Sequence, residues 1–258
     1  VQKFFNDRLK YKKLMQKAQK DFQETGALHH KNEISKYNNF QMARKIQLNS
    51  LYGALANQYF RFYDDRIAEG ITMSGQLVIR DTAKALDKYM NKVCGTEDEM
   101  YSFYSDTDSC YVTCKNLVDN FFPDKDVDKV VGLLDKIGTE KIEPAIAQAM
   151  TKLGNYTNAF EHKIDFKREV IADKGVFVAK KRYALNVLDD EGLRLKDPKL
   201  KVMGLEIVRS STPAPIRDSL KEAVRLILTS DEEHLQKYIA EAQKHFNTLS
   251  AEDIAFPR

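Results

Sequence analysis

Apolar residues recur at Phe4, Tyr11, Leu14, Met15, Ala18 and Phe22, a spacing that predicts a helix over residues 4–22, with Lys and Arg on its other faces and Thr25-Gly26 at its end. After a turn through His30, Asn32 is a suitable cap for a second helix over about 33–57, antiparallel to the first. A third stripe of Ile67, Ile71, Val78, Ala85, Tyr89 and Val93 predicts a helix over 65–93, with Gly95 as its C-terminal cap. The pattern then breaks. Over 100–114, apolar and aromatic residues lead into Ser105-Asp106-Thr107-Asp108-Ser109 and out through Cys110, Tyr111 and Val112, which predicts two strands joined by an acidic turn. Residues 127–153 are helical again, with a break at Gly138 or Pro144. From Phe160 the spacing changes to strands at 164–166, 169–171, 176–188 and 201–208, with a turn at 189–192. Two helices close the chain, 213–228 with Thr212 as cap, and 231–246 opened by a Ser230-to-Glu233 capping box. Helices and antiparallel strands in separate runs predict an α+β fold.

Composition narrows the classes. The chain has 258 residues, 43% hydrophobic and 31% charged, enough for a full core and unlike a disordered segment. No apolar run approaches the ~20 residues of a membrane span, which predicts no membrane partner, and the N-terminus lacks both a signal core and an initiator methionine. The chain reads as a piece of something longer. Three cysteines without paired spacing argue for reduced thiols and a cytoplasmic location, and against a disulfide framework or structural zinc. The net charge of +3 is small, but residues 1–20 carry seven Lys or Arg against one Asp.

Four stretches carry candidate chemistry. In the second helix, Lys45, Asn49 and Tyr52 fall within roughly 60° of one another, with Leu48, Leu51 and Leu55 about a quarter turn round. That is a polar face beside a packing face, and equally a solvated helix surface. Asp106 and Asp108 project to one side if their turn is extended, where repulsion at a 4 Å separation is about 4 kcal/mol at an effective dielectric of 20. A divalent cation removes that cost, although Asp and Ser are also ordinary turn formers. A calcium loop does not fit, because Tyr111 stands where glycine is needed and Leu117 where the bidentate glutamate belongs. Lys180-Lys181-Arg182-Tyr183 sets three cations beside an aromatic on a predicted strand, suited to a nucleic-acid backbone or to an edge that resists aggregation. Arg209-Ser210-Ser211-Thr212-Pro213 begins a helix and reads as an anion site or a plain cap.

Taken together the stretches resemble the C-terminal part of a family B DNA polymerase. Lys45-x-x-x-Asn49-Ser50-x-Tyr52-Gly53 resembles its fingers motif, Tyr104-Ser105-Asp106-Thr107-Asp108-Ser109 its acidic palm motif, and Lys180-Lys181-Arg182-Tyr183 its primer-facing motif, in the same order. The run from Lys180 through Pro213, including Lys201-Val202-Met203-Gly204-Leu205-Glu206, is most similar to replicative polymerases of contractile-tailed bacteriophages.

The resemblance implies a two-helix fingers over 1–57, the C-terminal part of an antiparallel-sheet palm over 58–207, and the start of a helical thumb over 208–258. It implies template-directed DNA synthesis, with Arg8, Lys12, Lys45 and Asn49 on the triphosphate and Tyr52 against the minor groove of the nascent pair. Asp108 would hold two magnesium ions, Asp106 would assist, and Glu169 would approach the site. Lys180, Lys181, Arg182 and Tyr183 would hold the primer terminus, and Arg209, Ser210, Ser211 and Thr212 the duplex backbone. The implied partners are primer-template DNA, deoxynucleoside triphosphates, an upstream polymerase half and a sliding clamp, in the cytoplasm of a bacterial host. Two departures stand out. Ser105 replaces a common glycine, and the family's upstream palm motif, an aspartate leading into Ser-Leu-Tyr-Pro, is absent, as are the exonuclease carboxylates. The chain alone is therefore expected to be inactive. A non-catalytic DNA-binding half or scaffold is the alternative, and an RNA-directed polymerase, which shares the acidic hairpin but not the Lys45 motif, a lesser one.

Overall fold

The computed structural model describes residues 1–122 and 126–255; residues 256–258 of the expected thumb lie outside the described residues. The protein is α+β and folds as two compact units, 1–80 and 81–258.

In the first unit, α1 (Gln2–Thr25) ends at Gly26, whose backbone is left-handed (φ 67°) and whose N–H donates to the Phe22 carbonyl. Glycine makes so tight a reversal possible that α2 (Leu28–Leu55) starts five residues before the expected position, leaving Asn32 inside the helix and not at its cap. A 3.1 Å contact from His30 to Glu33 ties its first turn together. The pair is antiparallel: Tyr11 meets Phe40 at 5.1 Å between ring centroids, and Arg44 reaches back to Asp7 at 3.8 Å and over the Phe4 ring at 5.6 Å. The third helix, α3 (Asp65–Cys94), runs from this unit into the second.

The second unit has two cores joined by one hairpin. Strands β1 (Ser102–Asp106) and β2 (Ser109–Val112) are antiparallel, with Tyr104 opposite Tyr111 and Asp106 opposite Ser109. At the base of the hairpin, Tyr101 is fully buried with Met90 of α3 and Leu117 of α4 (Lys115–Phe121), against Val93, Val112 and Leu134. Asp87 of α3 pins that base, accepting the N–H groups of Tyr101 and Ser102 at 3.0 and 2.7 Å and the Ser102 hydroxyl at 2.9 Å.

The expected break in the next helix falls at Gly138: α5 (Val127–Ile137) passes through a π-turn (Gly138–Ile142) into α6 (Glu143–Tyr156). Gly138 lies beside Arg168, whose guanidinium bonds both Asp135 of α5 and the buried Asp189.

A three-stranded antiparallel meander follows: β3 (Val170–Ala179), β4 (Arg182–Asp190) in the centre and β5 (Leu193–Met203). Residues 164–166 are not a strand. The single strand expected over 176–188 is instead two, separated by a two-residue turn at Lys180-Lys181, and this turn is the site of the basic motif. Beyond β5 and a short 3-10 turn (Glu206–Val208) come α7 (Ala214–Thr229), α8 (Glu232–Phe246) and α9 (Ala251–Ile254). Neither expected cap holds. Pro213 occupies the cap position of α7, and Asp231, not Ser230, caps α8 by accepting the His234 N–H at 2.9 Å.

Candidate active site

The acidic turn is not extended. Thr107 has φ 56°, a left-handed backbone uncommon for a β-branched residue, and the Asp108 N–H reaches back to the Asp106 carbonyl at 2.6 Å, a strained three-residue turn. Such strain persists only where surroundings hold it. The Ser109 hydroxyl donates to the same carbonyl at 3.2 Å, and the Thr107 hydroxyl to the Asp106 carboxylate at 2.9 Å. The premise that Asp106 and Asp108 project side by side from an extended turn is thereby corrected. Asp106 is half-buried at the end of β1, and Asp108 stands exposed on the turn itself.

Facing this tip is a second strained turn. Lys181 has φ 63°, its N–H donates to the Tyr104 hydroxyl at 2.6 Å, and its ammonium stands 3.6 Å from the Asp106 carboxylate. On the other side its carbonyl abuts Gly204 (φ 64°) so closely that any Cβ there would overlap the carbonyl oxygen. Tyr104 and Gly204 thus hold Lys181 from both sides. Both lie in stretches that carry the family resemblance, but the sequence gives neither a role, because a tyrosine flanking a turn and a glycine after a strand have many ordinary uses.

Between the turns the aromatic side chains form one cluster. Phe177 stacks on Tyr183 at 5.2 Å, Tyr104 and Tyr111 meet edge-on at 5.5 Å, and the Tyr111 hydroxyl donates to that of Tyr183 at 2.5 Å. Burial pushes the Tyr111 phenol well above its ordinary range, with its bond to Tyr183 adding to the shift. Burial raises Tyr183 as well; the bond it receives from Tyr111 works in the opposite direction, and the charges of Asp106 and Glu169 add to the rise.

The other expected residues divide. Lys180 is exposed on the turn, and Arg182 bonds Glu206 at 2.7 Å. Tyr183 is only 4% exposed, so it can meet nucleic acid only through a small edge. Glu169 is exposed, with its carboxylate 3.9 Å from the Lys201 ammonium, and does not close a three-carboxylate site with the two aspartates: among the described residues no three ligating side chains come together. Arg209, Ser210 and Ser211 are exposed, whereas Thr212 is buried with its hydroxyl donating to the Glu206 carbonyl at 2.8 Å, so it is neither a cap nor available to a phosphate. In the first unit, Lys45, Asn49 and Tyr52 are exposed on α2 and Arg8 and Lys12 partly buried on α1; Leu48, Leu51 and Leu55 are half-buried, as the helical spacing predicts. The Arg8 Nε is buried with no hydrogen-bond partner among the described residues.

The acidic tip carries two carboxylates, and among the described residues no third ligating side chain joins them. Magnesium is commonly held by one or two carboxylates together with substrate phosphates and water, and here a lysine ammonium already lies against one of the two carboxylates.

Residues 1–122, from α1 through α4, match the family model of DNA polymerase family B. The chain as a whole resembles the phage enzymes. It is 42% identical over 84% of its length to the DNA-directed DNA polymerase of Enterobacteria phage T4 and 43% identical over 74% to that of Escherichia phage RB69. A DNA polymerase of Methanocaldococcus jannaschii is 30% identical over 66% of the chain. The matches span 25% and 22% of the two phage proteins and 8% of the archaeal one.

Proposed function

We propose that this chain supplies the fingers (1–57), part of the palm (58–207) and the start of the thumb (208–258) of a template-directed DNA polymerase working by two-metal nucleotidyl transfer. One observation carries the reading: an acidic turn and a basic turn distant in sequence meet, with Lys181 against Asp106 and its N–H on Tyr104, 77 residues away. Duplex binding by a non-catalytic scaffold has no need of an acidic tip among its cations.

In this reading Arg8, Lys12 and Lys45 bind the triphosphate of the incoming deoxynucleotide, and Asn49 orients it. Tyr52 checks the shape of the nascent pair at the minor groove, where correct pairs present similar acceptors. Asp108, assisted by Asp106, holds magnesium. Bound there, magnesium neutralises charge on the phosphates and makes the primer hydroxyl a better nucleophile. Lys180, Lys181 and the edge of Tyr183 fix the primer end, so that attacking and leaving atoms stay in line. Arg209, Ser210 and Ser211 contact the duplex backbone. A further polymerase segment supplying the second palm aspartate, a sliding clamp and a bacterial host cytoplasm complete the proposal.

Primer extension tests it. The 258-residue chain alone should incorporate no nucleotide. Mixed with the part of the phage T4 relative that the match does not cover, it should extend a primer, and Asp108→Ala should remove at least about a hundredfold of that rate, the scale on which a lost electrostatic contact to the reacting group acts. Extension undiminished by Asp108→Ala would refute the assignment.

A further inference from the structure

A phenol has one proton to donate and lone pairs to accept with. In the aromatic cluster the three hydroxyls are used unequally. The Tyr104 oxygen is taken by the Lys181 N–H at 2.6 Å. The Tyr183 oxygen is taken by the proton of Tyr111 at 2.5 Å, and among the described residues no acceptor is bonded to the proton of Tyr183 itself. Tyr183 is only 4% exposed, so a ligand can meet it only at a small edge. Its ring is fixed by stacking on Phe177 at 5.2 Å and by edge contacts to Tyr104 and Tyr111 at 5.8 and 5.3 Å. Tyr111 lies on β2, two residues beyond Ser109, whose hydroxyl is bound to the carbonyl of the acidic turn.

We propose that Tyr111 is a positioning residue: by donating to Tyr183 it keeps the Tyr183 proton turned outward, toward an anionic oxygen of the primer's last phosphodiester. This rests on the function proposed above. Lys180 and Lys181, exposed on the adjoining turn, supply the surrounding positive charge. Phenylalanine at 111 would keep the ring contacts and remove the hydrogen bond that fixes the orientation of the Tyr183 hydroxyl. The effect is therefore separable from packing.

The test is a double-mutant cycle on the 258-residue chain, read by fluorescence anisotropy with a labelled primer–template duplex. Tyr111→Phe should weaken binding roughly tenfold or more, the worth of one hydrogen bond to a charged group, Tyr183→Phe similarly, and the double variant no further. With a methylphosphonate at the last primer linkage, the Tyr111→Phe loss should disappear. In a titration followed by NMR of carbon-labelled tyrosine, Tyr183 should ionise at higher pH in Tyr111→Phe, because the donor that stabilises its phenolate is gone. A purely structural tyrosine would not move it. Duplex binding by the wild type with Tyr111→Phe within twofold of it, losses that add, or an unmoved Tyr183 titration would overturn the inference alone. A wild-type chain that binds no duplex would overturn both the inference and the function on which it rests.

Discussion

Lys181 adopts a backbone that lysine seldom takes, and three neighbours account for it: Tyr104 on its N–H, Asp106 near its ammonium and Gly204 behind its carbonyl. Gly204→Ala should therefore cost more than about 1 kcal/mol, since a side chain would face both a left-handed φ and a clash with the turn. Urea unfolding checks it, and an unchanged midpoint would contradict the packing described. The thiols near the hairpin give a pH dependence. Burial, with the Asp87 charge adding for Cys110 and the Cys94 charge for Cys114, pushes both thiols from 9.0 up to about 11. The folded chain keeps these protons where the unfolded chain has lost them, so their contribution is whole below pH 9.0 and is lost as pH rises to about 11. The urea midpoint should fall across that window, and less steeply in Cys114→Ser. A midpoint that holds or rises would reverse the sign.

Among the elements, the hairpin β1–β2 spans both cores of its unit, with its base in the helical core and Tyr104 and Tyr111 in the sheet core. Asp87→Ala should detach that base, leaving two N–H groups without their acceptor at a cost of about 1–3 kcal/mol. Amide exchange should quicken through β1 and β2; exchange as slow as in the wild type would show that Asp87 is not the anchor. The long helices were legible because their stripes repeat over many turns, as was the acidic hairpin, bounded by aromatics. The basic motif was legible as chemistry and misplaced as structure. Local propensity cannot place a turn whose left-handed lysine is stabilised by a tyrosine 77 positions away and by a glycine just past β5. The caps of α7 and α8 were missed by one residue for a simpler reason: Thr212 and Ser230 have cap chemistry, but Thr212 bonds Glu206 and Asp231 takes the cap of α8.

For the whole molecule, the α+β organisation was readable because helical and strand patterns fall in separate runs, whereas the partnership of the acidic and basic motifs came from the family resemblance. The aromatic cluster was not readable, since it draws single residues from four strands. The central claim is that the acidic tip holds the metal used in nucleotidyl transfer beside the primer-facing turn. Its most direct test is manganese-induced line broadening in the isotope-labelled chain, bound to primer–template and a deoxynucleoside triphosphate. The account predicts that the amides of Thr107, Asp108 and Ser109 broaden first, followed by Lys181, and that Asp108→Ala abolishes the effect. Broadening centred elsewhere, or surviving Asp108→Ala, would contradict it.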